Sequence, residues 1–279
     1  MNATAQCSIA AAVALFPSTE APLASLLPGE RAATGEALAR MDRLCGLAVV
    51  GSEQCLAAVD PVARAPAAQT AVLCGTRDGC LATDTAFYRG ALAGQASPRL
   101  FAYTLHSSPV GAVSIQHGLW GPASTAVGSS LCGLQVLEEA LAMFAAQHAQ
   151  ACLVLSCDVA WQTGRDAVAA LYLTHGTPTA GPDPRWRLVA VQTAFLPQQS
   201  QAALYTVLGR LQTQVAGLDG ATVLPADGLP LATLVTLVTL QNDPASLHPA
   251  LALGQPSTGM VVITAVDPLG YAGAAVLVR

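Results

Sequence analysis

The chain has 279 residues, of which 53% are hydrophobic and only 10% charged. Its net charge is −5 and all twelve basic residues are arginine, so it lacks the basic cluster that nucleic-acid binding requires. A chain of this length can bury a large core, and its apolar excess predicts a further surface buried against a partner.

Cysteine usage indicates a reducing compartment. The eight cysteines form no C-x-x-C pair, have no histidine at zinc-ligand spacing, and lie mostly inside apolar runs. We therefore expect free buried thiols, no bound metal and a cytoplasmic location. The first sixteen residues lack the positive start of a signal peptide, and no apolar run is long enough to cross a bilayer.

Apolar periodicity predicts a layered α/β protein. In chain order, the patterns predict a strand over 1–16, a helix over 36–50, a strand over 71–75, helices over 82–92 and 131–147, strands over 151–159, 167–173 and 188–195, helices over 201–215 and 231–241, and strands over 260–266 and 274–278. The helix over 131–147 has only Glu138 and Glu139 as charged residues, as expected of a helix buried between two sheets.

A sharp turn before that helix is the most informative local feature. Gly121-Pro122 leads into a short strand, and Ser129-Ser130 follow at the point where the helix begins. A side chain on such a turn faces a cavity, and the helix N-terminus stabilises negative charge there. A serine gains far less than a cysteine would, because its hydroxyl ionises only beside a general base. The two serines could also simply cap the helix.

This segment resembles the nucleophile region of β-ketoacyl-ACP synthases, with Ser130 at the position of the catalytic cysteine and Gly133 on the family's glycine. Residues 40–58, 71–92 and 267–279 resemble three further family segments, the last being a closing glycine-rich hairpin. The resemblance implies a thiolase-like, layered α-β-α-β-α fold with a shortened C-terminal half. Residues 1–195 and 196–279 would then be two halves of one unit.

Several catalytic groups of that family are missing. Between 196 and 259 the only histidine is His248, and Ala274-Ala275 stand where the family has Thr-Asn. Residues 174–184, THGTPTAGPDP, come close to a family histidine motif. They follow Ser130 too soon, so we interpret them as a polar turn between two strands. The alternative is that His175 takes part in chemistry.

By resemblance, the chain is a non-catalytic chain-length factor of type II polyketide synthases, of the truncated aryl-polyene type. It would need no cofactor, would pair with a catalytic ketosynthase subunit as a heterodimer or heterotetramer, and would meet an acyl carrier protein through that complex. The resemblance also places a tunnel stopper on the helix over 82–92. Cys80, Thr83 and Phe87 share one face there by helical spacing, unless Phe87 is only core.

Three further hypotheses concern the partner surface and the function. A strand before the nucleophile turn would pair with the partner through Ala112, Val113, Ser114 and Ile115. A different function would be an active acyltransferase or thioesterase-like enzyme in which Ser130 is the nucleophile and His175 or His106 the base. A weaker alternative is a homodimeric scaffold that never meets a carrier protein. Cys132, which spoils a G-x-S-x-G pattern, is expected to be a buried structural thiol.

Overall fold

Nine β-strands and seven α-helices make up the part of the protein that this computed structural model describes, which is residues 7–29, 32–159, 166–176, 186–225 and 260–278. The strands are β1 (Cys7–Leu15), β2 (Thr70–Thr76), β3 (Ala123–Val127), β4 (Ala151–Asp158), β5 (Ala167–His175), β6 (Arg187–Phe195), β7 (Thr222–Pro225), β8 (Met260–Val266) and β9 (Tyr271–Val278). The helices are α1 (Ala32–Leu38), α2 (Arg43–Ala57), α3 (Leu81–Leu92), α4 (Pro98–Phe101), α5 (Ser108–His117), α6 (Cys132–Ala145) and α7 (Ser200–Gln214). Short 3₁₀ helices lie at Leu23–Leu26, Pro61–Ala63, Ala67–Gln69 and Leu218–Gly220.

The strands form one hydrogen-bonded sheet in the order β3-β2-β4-β5-β1-β6-β9-β8-β7. Its two halves are joined narrowly, because β1 pairs with β6 only through Cys7 with Leu188 and Ser8 with Arg187. In the first half, β2 runs parallel to both β3 and β4. In the second half, β9 pairs antiparallel with both β6 and β8. Strand β3 therefore forms one free edge of the sheet.

Helix α6 is buried between the two halves of the sheet. Its residues Leu134, Leu137 and Phe144 are almost fully buried, and they belong to one core cluster with side chains from the inner faces of both halves. A second core cluster joins α2 and α5 to the outer face of the first half, and a third joins α7 to the outer face of the second. The layers are thus α-β-α-β-α, which confirms the predicted fold class.

Most predicted elements that fall on described residues are confirmed, with boundaries shifted by a few positions. The helix over 36–50 is wrong as a single element, because the chain breaks before Asp42. The Asp42 carboxylate accepts a hydrogen bond from the Cys45 backbone N–H at 3.1 Å and so caps a new helix, α2. The helix predicted over 231–241 lies outside the described residues.

The strand predicted over residues 112–115 is also wrong, because these residues lie inside helix α5. Pro109 in the first turn and Gly118, with a left-handed φ of 62°, are the start and stop signals of a helix. A four-residue apolar run is too short to distinguish a strand from a helix by its pattern. Val113 is fully buried against the sheet, whereas Ile115 on the same helix is 83% exposed.

Candidate functional site

The turn between β3 and α6 lies at the carboxyl ends of three parallel strands. Gly128 begins it with a φ of 104°, a conformation that glycine adopts without strain. Gly75 on β2 lets the helix start approach closely, since a Cβ there would meet the Cys132 backbone at 2.6 Å. Two glycines therefore bring the Ser129-Ser130 pair to the end of the sheet.

Ser130 is half-buried, and its hydroxyl donates a hydrogen bond to the carboxylate of Asp267 in the turn between β8 and β9. Asp267 is itself held by its own turn. Its backbone N–H donates to the carbonyl of Tyr271 at 2.8 Å, and its other carboxylate oxygen accepts from the N–H of Leu269 at 2.6 Å. The Ser130 hydroxyl is thus directed at a fixed carboxylate. The sequence patterns gave no signal for Asp267.

Ser129 and Cys132 complete the turn in structural roles. The Ser129 hydroxyl accepts a hydrogen bond from the Leu131 N–H at 3.0 Å, so this serine, unlike Ser130, does serve the helix start. The Cys132 thiol is fully buried and donates to the carbonyls of Ser129 at 2.8 Å and Thr76 at 3.1 Å. Burial raises the pKa of the Cys132 thiol, so it is not a ready nucleophile. The prediction of a buried structural thiol is confirmed.

A buried carboxylate lies beside this turn. One oxygen of Asp158, at the end of β4, accepts from the Thr76 hydroxyl at 3.0 Å and from the Arg77 N–H at 2.8 Å. Its other oxygen is buried and has no hydrogen-bond partner among the described residues. Burial raises the pKa of Asp158. The sequence reasoning missed this residue, because nothing in the pattern links strands 82 positions apart.

The histidines proposed as bases lie elsewhere. His175 is the last residue of β5 and lies beside the start of β4, where its backbone N–H donates to the carbonyl of Gln150 at 2.9 Å. Ser130 lies near the other end of β4. Eight residues of strand separate the two ends, about 26 Å. His106 contacts the start of α3 instead, with its Nδ1 3.2 Å from the Cys80 sulfur. In the described part of the chain, no imidazole forms a hydrogen bond with Ser130.

The three candidate tunnel residues lie along α3 but contact different groups. Cys80 is buried, and burial together with Asp84 raises its pKa to about 11. The Thr83 hydroxyl donates to the Asp42 carboxylate at 2.9 Å. Phe87 is half-buried and packs against Phe101, with ring centroids 5.5 Å apart. All three side chains thus meet the rest of this chain, and Phe87 is the least constrained by polar contacts.

Two further observations concern the surroundings of the site. Ala274 and Ala275 lie in β9 and are fully buried. Because both are alanine, the hairpin has no polar side chain at these two positions. Within the described ranges, no set of three His, Cys, Asp or Glu side chains is placed to hold a metal ion. None of the helices in those ranges is both long and apolar enough to cross a membrane.

Comparisons with known proteins agree with this architecture. No family model and no curated protein matches the sequence. The ishigamide ketosynthase/chain length factor matches with a TM-score of 0.69 at 20% identity, over 98% of this chain and 99% of that one. The complex AntDE:AntF, a type II PKS acyl-carrier protein with its hexaketide-bound ketosynthase, matches with a TM-score of 0.67 at 13% identity, over 99% of both chains.

A third solved structure is the ketosynthase ApeO in complex with its chain length factor ApeC from Xenorhabdus doucetiae. It matches with a TM-score of 0.56 at 14% identity, over 98% of this chain and 99% of that one. The chain therefore has the thiolase-like fold that ketosynthases and chain length factors share.

Proposed function

We propose that this chain is a non-catalytic chain-length-factor subunit, which pairs with a β-ketoacyl-ACP synthase and shapes the acyl tunnel in type II polyketide biosynthesis. The observation that carries the proposal is Ser130, which stands where such a synthase has its thiol and donates its hydroxyl to Asp267. Condensation needs a thiolate to hold the acyl chain and polar donors to stabilise the developing charge. A serine has no thiol, and among the described residues no histidine is hydrogen-bonded to Ser130 to activate its hydroxyl.

The surroundings of Ser130 support the same proposal over a hydrolase. His175 lies near the opposite end of the strands, and His106 is hydrogen-bonded at the start of α3. Neither is placed as a base for the serine. The buried Ala274 and Ala275 add no donor where the resemblance expects an asparagine. The alternative of an active acyltransferase or thioesterase-like enzyme therefore lacks a base in the described residues.

The partner surface is argued from exposed apolar side chains. Fifteen large hydrophobic residues of the described chain are exposed, and eight of them fall between positions 81 and 127. These eight define what we call the apolar surface: Leu81, Tyr88, Leu92, Phe101, Leu105, Ile115, Trp120 and Val127. These eight side chains lie on successive segments from α3 to β3, and large exposed apolar areas are rare on a surface that stays in water. We place the ketosynthase there.

The free edge of β3 adds a second element to this surface. Among the described strands, β3 pairs with β2 alone, so its outer backbone groups can pair with a strand of the partner. This edge replaces residues 112–115 as the proposed site of backbone pairing. From α5, Ile115 can still contact the partner, whereas Val113 is buried in this chain's own core.

Carrier-protein contact and location complete the proposal. The AntDE:AntF structure contains an acyl-carrier protein with its ketosynthase, and we place such a carrier on the complex that this chain forms. All eight cysteines are free and buried, which suits the reducing cytoplasm. The tunnel is proposed to end at α3, where Phe87 faces Phe101.

Co-expression followed by acyl trapping tests the proposal. The tagged chain is expressed alone and together with a ketosynthase encoded beside it, and the purified complex is incubated with an acyl thioester. We expect the ketosynthase to co-purify and to carry the only acyl adduct in the intact-mass spectrum. An adduct on this chain that disappears in Ser130→Ala would instead establish the acyltransferase alternative.

A further inference from the structure

A pocket that none of the residues of the Ser130 turn lines lies between three segments: residues 40–43 at the start of α2, helix α3, and α4 with Tyr103 after it. It encloses about 220 Å³. Three arginines border it, a quarter of the basic residues of the whole chain. So strong a concentration of positive charge is unexpected in a protein whose net charge is −5.

The three arginines differ in their hydrogen bonds. Each guanidinium nitrogen of Arg43 donates one: to Asp166 at 2.6 Å, to the carbonyl of Ala21 at 2.6 Å and to the carbonyl of Ser18 at 2.8 Å. In contrast, the guanidinium groups of Arg40 and Arg99 form no hydrogen bond or ion pair with any described residue, although both residues border the pocket.

The acidic residue of the pocket, Asp42, forms no ion pair with either of them among the described residues. Asp42 is 8% exposed, and its two oxygens accept from the Cys45 N–H at 3.1 Å and from the Thr83 hydroxyl at 2.9 Å. Its carboxylate is therefore already held by two donors. Within the described part of the chain, the guanidiniums of Arg40 and Arg99 have no counter-charge in direct contact.

The other walls of the pocket are suited to a short hydrocarbon. Met41, Ala82, Ala86 and Leu100 line it with apolar atoms. Tyr103 also lines it; a phenol is protonated at neutral pH, and burial raises its pKa further, so its hydroxyl is available as a neutral donor. The pocket thus combines the guanidinium groups of Arg40 and Arg99, the hydroxyl of Tyr103 and an apolar wall.

We infer that this pocket binds a small organic carboxylate, with its head on Arg40 and Arg99 and its hydrocarbon against the apolar wall. The planar guanidinium presents paired donors that match a carboxylate. A volume of about 220 Å³ equals that of roughly seven water molecules, enough for an acid of about six carbons. Thr83, one of the three tunnel candidates, also borders the pocket. The inference still does not rest on the proposed chain-length role, because carboxylate binding requires neither a ketosynthase nor a polyketide product.

Isothermal titration of the purified protein, in the complex in which it is obtained, tests the inference with four probes. Hexanoate should bind saturably. Hexanamide, which has the same shape without the charge, and acetate, which lacks the tail, should each bind far more weakly. Equal affinity for hexanamide and hexanoate would overturn the inference, and so would binding of inorganic phosphate as tight as that of hexanoate.

Variants locate the site. Arg40→Gln and Arg99→Gln should each weaken hexanoate binding about ten- to hundredfold, the usual effect of losing a charge-assisted hydrogen bond. Both side chains are exposed, so these variants should keep the parent melting temperature. Arg89→Gln is the matched control, because Arg89 is exposed on α3 but does not border the pocket. Unchanged binding in both pocket variants, or no hexanoate binding at all, would overturn the inference.

Discussion

The hydroxyl of Ser130 and the carboxylate of Asp267 are hydrogen-bonded although 137 positions separate them in the sequence. This bond connects the start of the central helix α6 to the turn of the closing hairpin. The carbonyl of Asp267 also accepts from the Ser200 hydroxyl at 2.5 Å, which brings the start of α7 into the same contact. One residue, Asp267, thus joins the central and outer helical layers, through its carboxylate to α6 and through its carbonyl to α7.

The first prediction concerns this pair. Ser130→Ala should leave product formation by the reconstituted pair nearly unchanged, because the hydroxyl is proposed to hold structure and not to attack an acyl group. The free energy of unfolding should fall by about 1–3 kcal/mol, since a carboxylate loses one donor. Initial rates and urea unfolding of the same preparation measure the two effects. A nucleophile's loss would cost orders of magnitude in rate, and such a drop with an intact complex contradicts the silent-subunit proposal.

The second prediction tests the apolar surface with a matched pair of variants. Ile115 is 83% exposed within that surface, and Val62 is 92% exposed outside it. Ile115→Asp should abolish co-purification with the ketosynthase, because it buries an unpaired charge in the interface. Val62→Asp should leave co-purification unchanged. If Ile115→Asp still forms a stable complex on size exclusion, the partner binds elsewhere.

Much of this fold follows from the sequence, and the errors have a physical cause. The strands β2, β4, β5, β6 and β8 are apolar runs whose pattern is sufficient to predict them. The strand predicted over residues 112–115 was wrong because a short apolar run fits a helix face equally well. The flanking Pro109 and Gly118 are the signals that indicate a helix there. Asp267 and Asp158 could not be predicted, because their partners come from remote segments that only the fold brings together.

The third prediction follows from the corrected position of Val113. Proline at this position removes a backbone donor within α5 and leaves a void where a fully buried side chain packed on the sheet. Val113→Pro should therefore destabilise the chain itself by about 3 kcal/mol or more. Circular dichroism melting of the variant should show a lower transition with the partner absent. A parent-like melt would contradict this prediction, because it would show that Val113 does not support the fold of the chain.

The fourth prediction concerns the pH dependence of stability. Burial raises the pKa of Asp158 in the folded protein, so the folded state binds more protons than the unfolded state above the ordinary carboxyl range. Stability from this group is greatest below its ordinary pKa and falls as the pH rises through the raised value. Asp158→Asn should reduce that loss, and urea unfolding at a series of pH values measures it. An identical pH profile for the variant would mean that Asp158 ionises normally.

The last prediction asks for a changed product. If Phe87 closes the tunnel, Phe87→Ala removes a ring that packs against Phe101 and opens room for more carbons, so the reconstituted pair should release longer chains. If Phe87 is only core, the variant loses up to about 3–5 kcal/mol of stability, and yield falls while chain length stays the same. Tyr205→Ala is the matched control, because this aromatic is 72% exposed on α7 and lies outside the apolar surface. Mass spectrometry of the acyl-carrier products reads chain length directly. An unchanged length distribution at reduced yield would remove Phe87 from the tunnel, and the stopper would then have to be sought elsewhere along α3.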